Sequence, residues 1–131
     1  MNILTGVDII EIRRIKKSIE ELGEGFLNRI YTNREIAYCE SKKIGKFESY
    51  AVRFAAKEAV SKAIGTGIGA RVSLIEIEVE NNEMGAPFVK LFGDTGKTAQ
   101  NLNINSFSLS LSHCKEYAVA IVVATKYIEG E

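Results

Sequence analysis

The stretch Phe54-Ala55-Ala56-Lys57-Glu58-Ala59-Val60-Ser61-Lys62-Ala63 reads as a helix and runs into the turn Gly65-Thr66-Gly67. At about 100° per residue, Glu58 and Lys62 stand roughly 40° apart on one face. Val52, Ala55, Ala56, Ala59 and Ala63 gather on a different, apolar stripe. The Glu58/Lys62 pair therefore borders the buried face. Ahead of this helix the apolar residues recur mostly with helical period. Beyond Gly69 the period becomes two. One strand, then helices, then strands gives an α+β domain.

Working outward, Ile3 to Ile10 reads as the first strand, with Asp8 among apolar neighbours. Glu11 to Leu22 has helical periodicity through Ile12, Ile15, Ile19 and Leu22, and stops near Gly23 and Gly25. Phe26 to Tyr31 is a short helix. Thr32-Asn33-Arg34-Glu35 is a capping-box pattern that starts a helix through about Lys42. Gly45 breaks it, and the alanine-rich helix runs from about Phe47 to Ile64. Ile75, Ile77 and Val79 alternate with Glu76, Glu78 and Glu80, which predicts a strand with one wet face. Asn81 to Gly85 is a turn, and Pro87 to Phe92 returns as a partner strand. Asp94 to Leu102 is a weak helix. Phe107, Leu109 and Leu111 alternate with Ser106 to Ser112, a strand with a polar face. Tyr117 to Thr125 is nearly continuous in apolar residues, so it belongs in the middle of a sheet.

A chain of 131 residues suits one domain, here residues 1–131, with a single modest core. Seventeen basic residues balance seventeen acidic ones, so no global field draws nucleic acid. Basic clusters are local: Arg13-Arg14 with Lys16-Lys17, and Lys42-Lys43 with Lys46. No apolar run is long enough to span a bilayer, and the start lacks the plan of a signal peptide. A cytoplasmic protein without a membrane partner is the expectation. Cys39 and Cys114 form no CxxC motif and read as reduced thiols.

Asp8 has two readings. It is either the N-cap of the helix that follows or a metal carboxylate. Mg²⁺ typically takes one or two protein carboxylates, and Asp8 with Glu58 would supply them if they meet. Glu58 with Lys62 also has a plain reading, an i,i+4 surface ion pair. Gly65-Thr66-Gly67 follows the lysine, so it is no Walker loop and at least ends the helix. His113 closes an alternating strand, where it is either structural or placed to contact a phosphate. A dyad with Cys114 is not expected, because adjacent strand residues point to opposite faces.

Together these segments resemble holo-[acyl-carrier-protein] synthase, the short bacterial type of 4'-phosphopantetheinyl transferase. The resemblance rests on five motifs: Gly6-Val7-Asp8-Ile9-Ile10-Glu11-Ile12-Arg13-Arg14-Ile15, Arg53 to Ala63 with Gly65-Thr66-Gly67, Ile77-Glu78-Val79, Gly85-Ala86-Pro87, and Leu109-Ser110-Leu111-Ser112-His113 with Glu116-Tyr117-Ala118. Their order matches across nearly the whole chain. It implies transfer of phosphopantetheine from coenzyme A to a serine of apo acyl carrier protein, in support of fatty acid biosynthesis. It further implies Asp8 and Glu58 on Mg²⁺ (Mn²⁺ as a possible substitute), and Lys62 on the phosphate that leaves. The base that activates the serine stays open between a metal-bound water and one of the carboxylates. Arg53, His113 and Lys46 correspond to positions near the nucleotide phosphates, and Gly65 to close passage of the cofactor. Arg14 corresponds to the position that meets the acidic helix of the carrier, with Glu20, Glu21 and Glu24 diluting the charge. A homotrimer with active sites between subunits is also implied. Two other readings stand beside it: a Mg²⁺-dependent hydrolase of the coenzyme A pyrophosphate, and a non-catalytic nucleotide-binding module.

Overall fold

The structure, a computed structural model, describes residues 1–130. Its first strand, β1 (Asn2–Glu11), leads into helices α1 (Ile12–Leu22), α2 (Glu24–Ile30), α3 (Asn33–Glu40) and α4 (Lys46–Ile64). A short 3₁₀ turn (Leu74–Glu76) precedes β2 (Ile77–Asn81) and β3 (Pro87–Leu91). Helix α5 (Gly93–Asn101) and strands β4 (Ile104–His113) and β5 (Tyr117–Lys126) follow. The architecture is α+β, as the change of period predicts.

The strands form two antiparallel sheets. One is ordered β1-β5-β4 and the other pairs β2 with β3. β5 is central, in agreement with its apolar run. Its inward residues Ala118, Ala120, Val122 and Ala124 are fully buried against α4, which offers Ala55, Ala56, Ala59 and Ala63 in return. Small residues on both sides let helix and sheet approach closely. Larger groups such as Val60 and Val122 fill the remaining space, each contributing about 1.5–3 kcal/mol by burial.

Gly6 on β1 brings strand and helix backbones into direct contact. A Cβ built there would fall 1.9 Å from the carbonyl oxygen of Ala59 and 2.9 Å from the nitrogen of Ala63. The strand backbone thus lies directly on the helix backbone. Leu4, Asp8 and Ile10 share the inward side of β1, while Ile3, Val7 and Ile9 face outward and are exposed. The outward side continues across β5 with exposed Tyr117, Ile121 and Val123, and across β4 with Ser106, Ser108, Ser110 and Ser112. In place of the single core expected, a second cluster lies under α1 to α3. There Tyr31 packs edge-on to Tyr50 at 4.9 Å and donates its hydroxyl to the Tyr50 carbonyl at 2.8 Å.

Three expectations need correction. The first helix starts at Ile12, not Glu11, because β1 stays paired with β5 through Glu11 and Tyr117. Asp8 therefore sits in mid-strand opposite Ala120 and caps no helix; Glu11 takes the N-cap place without a side-chain bond. The Glu76–Glu80 face is not wet. Glu78 is buried and accepts the Thr32 hydroxyl at 2.6 Å, while Glu80 lies between Arg34 at 3.5 Å and Lys90 at 3.1 Å. Glu76 belongs to the 3₁₀ turn and accepts from Ser73, Asp94 and Thr95. Those bonds, the Thr95 hydroxyl above all, hold its carboxyl below the usual carboxylate range.

Replacing Gly6 by alanine forces a methyl into a backbone carbonyl. The expected loss is about 1–3 kcal/mol of stability, read as a lower urea midpoint at unchanged m-value. An unchanged midpoint would show that β1 and α4 separate freely.

Candidate active site

Gly6 determines what stands two residues further along. Asp8 emerges on the same inward side, beside the outer turn of α4 that carries Glu58 and Lys62. The Lys62 ammonium donates to the Val7 carbonyl at 2.9 Å and lies 3.3 Å from Asp8 Oδ1. Among the described residues Glu58 and Lys62 form no ion pair. The plain reading of that spacing does not hold, because a closer carboxylate and a carbonyl lie across the strand–helix contact. The Asp8 side chain is 18% exposed and that of Lys62 is 53% exposed.

Glu58 feels both neighbours. Burial raises its pKa above the usual value, the negative charge of Asp8 raises it further, and Lys62 opposes them. The Lys62 ammonium thus pairs with Asp8, and the charges of both residues act on Glu58 at the edge of the core. The surplus negative charge and hard oxygen donors fit a hard divalent cation with an incomplete protein shell. Among the described residues no cluster of three or more His, Cys, Asp or Glu gathers in that way. The candidate donors are Asp8 and Glu58 alone.

A second cluster lies on the other side of α4. Tyr38, Ser49, Arg53, Asn81, Leu111 and His113 line an open cavity of about 420 Å³. Arg53 is only 3% exposed. It donates to Ser49 Oγ at 3.2 Å and to Asn81 Oδ1 at 2.7 Å, and its guanidinium lies 4.1 Å from the Tyr38 ring centroid. Its Nε is buried with no hydrogen-bond partner among the described residues. No carboxylate among them pairs with it either. A buried cation hydrogen-bonded only to neutral groups, beside an exposed histidine and Lys42, suits an anion, although the Glu48 carboxylate lines the same cavity.

The remaining candidates are placed less centrally. Lys46 is 3.1 Å from Glu40, which also accepts the Tyr50 hydroxyl, so it ties α3 to α4 outside the residues lining that cavity. Gly65 ends α4 in the left-handed region at φ 95°, which a side chain adopts at a cost, and the space where a Cβ would point is open. Arg14 is exposed on α1, next to Arg13, which is 2.9 Å from Glu11.

Tyr38 and Asn81 join this site only in three dimensions. The buried pair Lys57–Glu35, 2.7 Å apart, also escapes the reading of the sequence. A signal for it exists: Lys57 stands on the stripe of Phe54, Val60 and Ile64, where a solvated lysine is out of place.

A family model described as the 4'-phosphopantetheinyl transferase superfamily matches residues 5–122. The chain belongs to this superfamily. Among its relatives is the holo-[acyl-carrier-protein] synthase of Ruminiclostridium cellulolyticum, 51% identical over 123 residues that span 94% of this chain and 92% of the relative. The crystal structure of the Helicobacter pylori synthase, a complex with coenzyme A, is 35% identical with a TM-score of 0.82, covering 93% of this chain and 100% of that one. The Neisseria meningitidis synthase is 33% identical with a TM-score of 0.86, covering 94% and 98%. The transferase family thus accounts for both the α+β fold and nearly the full length.

The raised Glu58 carboxyl has a testable sign. A folded-state pKa above the unfolded value means that the native state holds the proton more tightly, so this group lowers stability as pH rises through its folded pKa. Without divalent cations, Glu58→Gln should melt higher than wild type at pH 7.5. The gap should shrink as the pH falls through the folded Glu58 pKa toward 4.5, where the wild-type carboxyl is protonated too. A gap that is constant across this window, or reversed, would contradict the crowding of Asp8 and Glu58.

Proposed function

We propose that the chain transfers the 4'-phosphopantetheine group from coenzyme A to a serine hydroxyl of an apo acyl carrier protein, releasing adenosine 3',5'-bisphosphate. The observation that carries this reading is the meeting of Asp8, Glu58 and Lys62 across the β1–α4 contact, in a chain of the transferase superfamily. The reaction moves a phosphoryl centre between two oxygens, so positioning and neutralisation of charge dominate it.

Asp8 and Glu58 would hold Mg²⁺. Bound there, the ion would supply charge neutralisation and orientation to the pyrophosphate. Lys62, half exposed and already drawn toward Asp8, would place its ammonium on the phosphate that leaves and give it a proton. Arg53 and His113 would receive the other phosphate groups in the cavity that both residues line. Lys46 would assist only after exchanging Glu40 for a phosphate. Gly65 would let the cofactor pass against backbone, since no side chain fills the space beside it.

The two clusters stand on opposite sides of α4. Arg53 is roughly 140° around the helix from Glu58, and His113 ends β4, the far edge strand from Asp8. No single face of one copy carries both. This supports active sites shared between copies, as in a homotrimer. The apolar outward face of β1 and β5 supplies a surface for such assembly, because exposed Ile3, Val7, Ile9, Ile121 and Val123 form one patch. Arg14 on α1 would meet an acidic helix of the carrier protein. Carriers of fatty acid biosynthesis, in the cytoplasm, are the expected partners; the thiols Cys39 and Cys114 are unpaired with each other, as such a compartment allows. No described helix is long and apolar enough to cross a membrane.

Incubation with apo carrier, coenzyme A and Mg²⁺ should add the mass of one phosphopantetheine group to the carrier. Asp8→Asn and Glu58→Gln should each lower kcat on the order of 10²–10³-fold while the assembly persists. Unmodified carrier, or coenzyme A consumed without carrier modification, would overturn the transferase reading. By light scattering, Ile121→Glu should convert the assembly to monomer; an unchanged mass would place the interface elsewhere.

A further inference from the structure

We propose that Lys57 is a positioning residue for Glu58: anchored by Glu35, it sets the rotation of α4 that turns the Glu58 carboxylate toward Asp8. The proposal rests on the roles given to Asp8 and Glu58 above. Its basis is a pair of anchors on either side of Glu58. Lys57 precedes it, with a side chain that leaves the helix roughly 100° from that of Glu58, and the backbone carbonyl of Ala59 follows it. Ala59 is pressed against Gly6, where not even a methyl group fits. That contact sets the distance between β1 and α4, yet a smooth backbone-on-backbone contact allows the helix to roll.

Lys57 removes that freedom. Its side chain is 0% exposed, and the ammonium lies 2.7 Å from Glu35 Oε1, donates to the Leu74 carbonyl at 3.0 Å, and donates to the Ile77 carbonyl. An ammonium has three N–H groups, and three acceptors take them all. Glu35 is fixed in turn. It accepts the Thr32 N–H at 2.9 Å on one oxygen and the Val79 N–H at 2.8 Å on the other. The start of α3, the entry to β2 and the middle of α4 therefore meet at one pair of charges. Both side chains are fully buried, so neither can touch a substrate. Desolvation offsets most of the attraction in a buried ion pair. What the pair supplies is direction, because three aimed hydrogen bonds resist a roll that a packed methylene chain would permit.

The test uses Lys57→Met and Lys57→Met/Glu35→Gln, the second variant removing the charge that the first leaves unpaired. Circular dichroism sets a temperature at which each variant is folded. Mn²⁺ binding, without coenzyme A or carrier, is read from the electron paramagnetic resonance of the free ion. Transfer is followed by carrier mass. The folded double variant should bind Mn²⁺ about tenfold or more weakly, with kcat reduced at least as much and KM for coenzyme A within about twofold of wild type. A folded variant with wild-type Mn²⁺ affinity and kcat would overturn the proposal. Loss of fold in both variants would also overturn it, since the pair would then serve folding alone. Wild-type protein that binds Mn²⁺ but transfers nothing would sink the transferase reading and leave the Mn²⁺ comparison to decide this one.

Discussion

The contact of Gly6 with Ala59 is the constraint on which the rest depends. Hydrogen bonding to β5 fixes β1 in the sheet, and the absent side chain lets α4 settle on its backbone. The small residues of the α4 stripe and of β5 follow from this, since a bulky group anywhere along the contact would lift the helix. Asp8 owes its place to the same approach. It is one strand pleat beyond Gly6, on the same side, where Lys62 and Glu58 border the buried stripe. A wider gap would leave a half-buried aspartate in mid-strand with no partner, which is costly.

Helix α4 works as an axis with different chemistry on each side. Toward β1 it presents Glu58 and Lys62. Toward β4 it presents Arg53, with Tyr38, Asn81 and His113 around it. Toward β2 it buries Lys57 against Glu35. The first two sides carry opposite local surpluses, negative at Asp8 and Glu58, positive at Arg53. A cation and an anionic ligand therefore find separate seats. A pyrophosphate-linked nucleotide needs both, which ties the electrostatics of the chain to the chemistry proposed for it.

Much of this was legible in the sequence, for reasons that are local. The apolar run Tyr117–Thr125 placed β5 in the middle of its sheet, and Thr32 with Glu35 marked a capping box that the structure contains in full. Glu58 and Lys62 were legible as residues, and their helical spacing set them on the border of the core. What was not legible is long-range. Asp8 taken alone looked more like a helix cap, because nothing nearby tells that pairing with β5 carries the strand on to Glu11. The glutamates of β2 looked wet because alternation reports polarity and not exposure; Thr32, Arg34 and Lys90 come from elsewhere to satisfy them. Glu35 showed its local role and hid its two distant ones, on Lys57 and on the Val79 N–H. His113 was legible as a strand-end histidine and Arg53 only through resemblance, while Tyr38 and Asn81, which hold Arg53 in place, carried no signal of their own.

The most direct test of this account is the position of a divalent cation in crystals grown with Mn²⁺ and coenzyme A, read from anomalous scattering. One strong peak is expected between the carboxylates of Asp8 and Glu58, beside the pyrophosphate. A peak that lacks either carboxylate, or a pyrophosphate bound away from both, would contradict it.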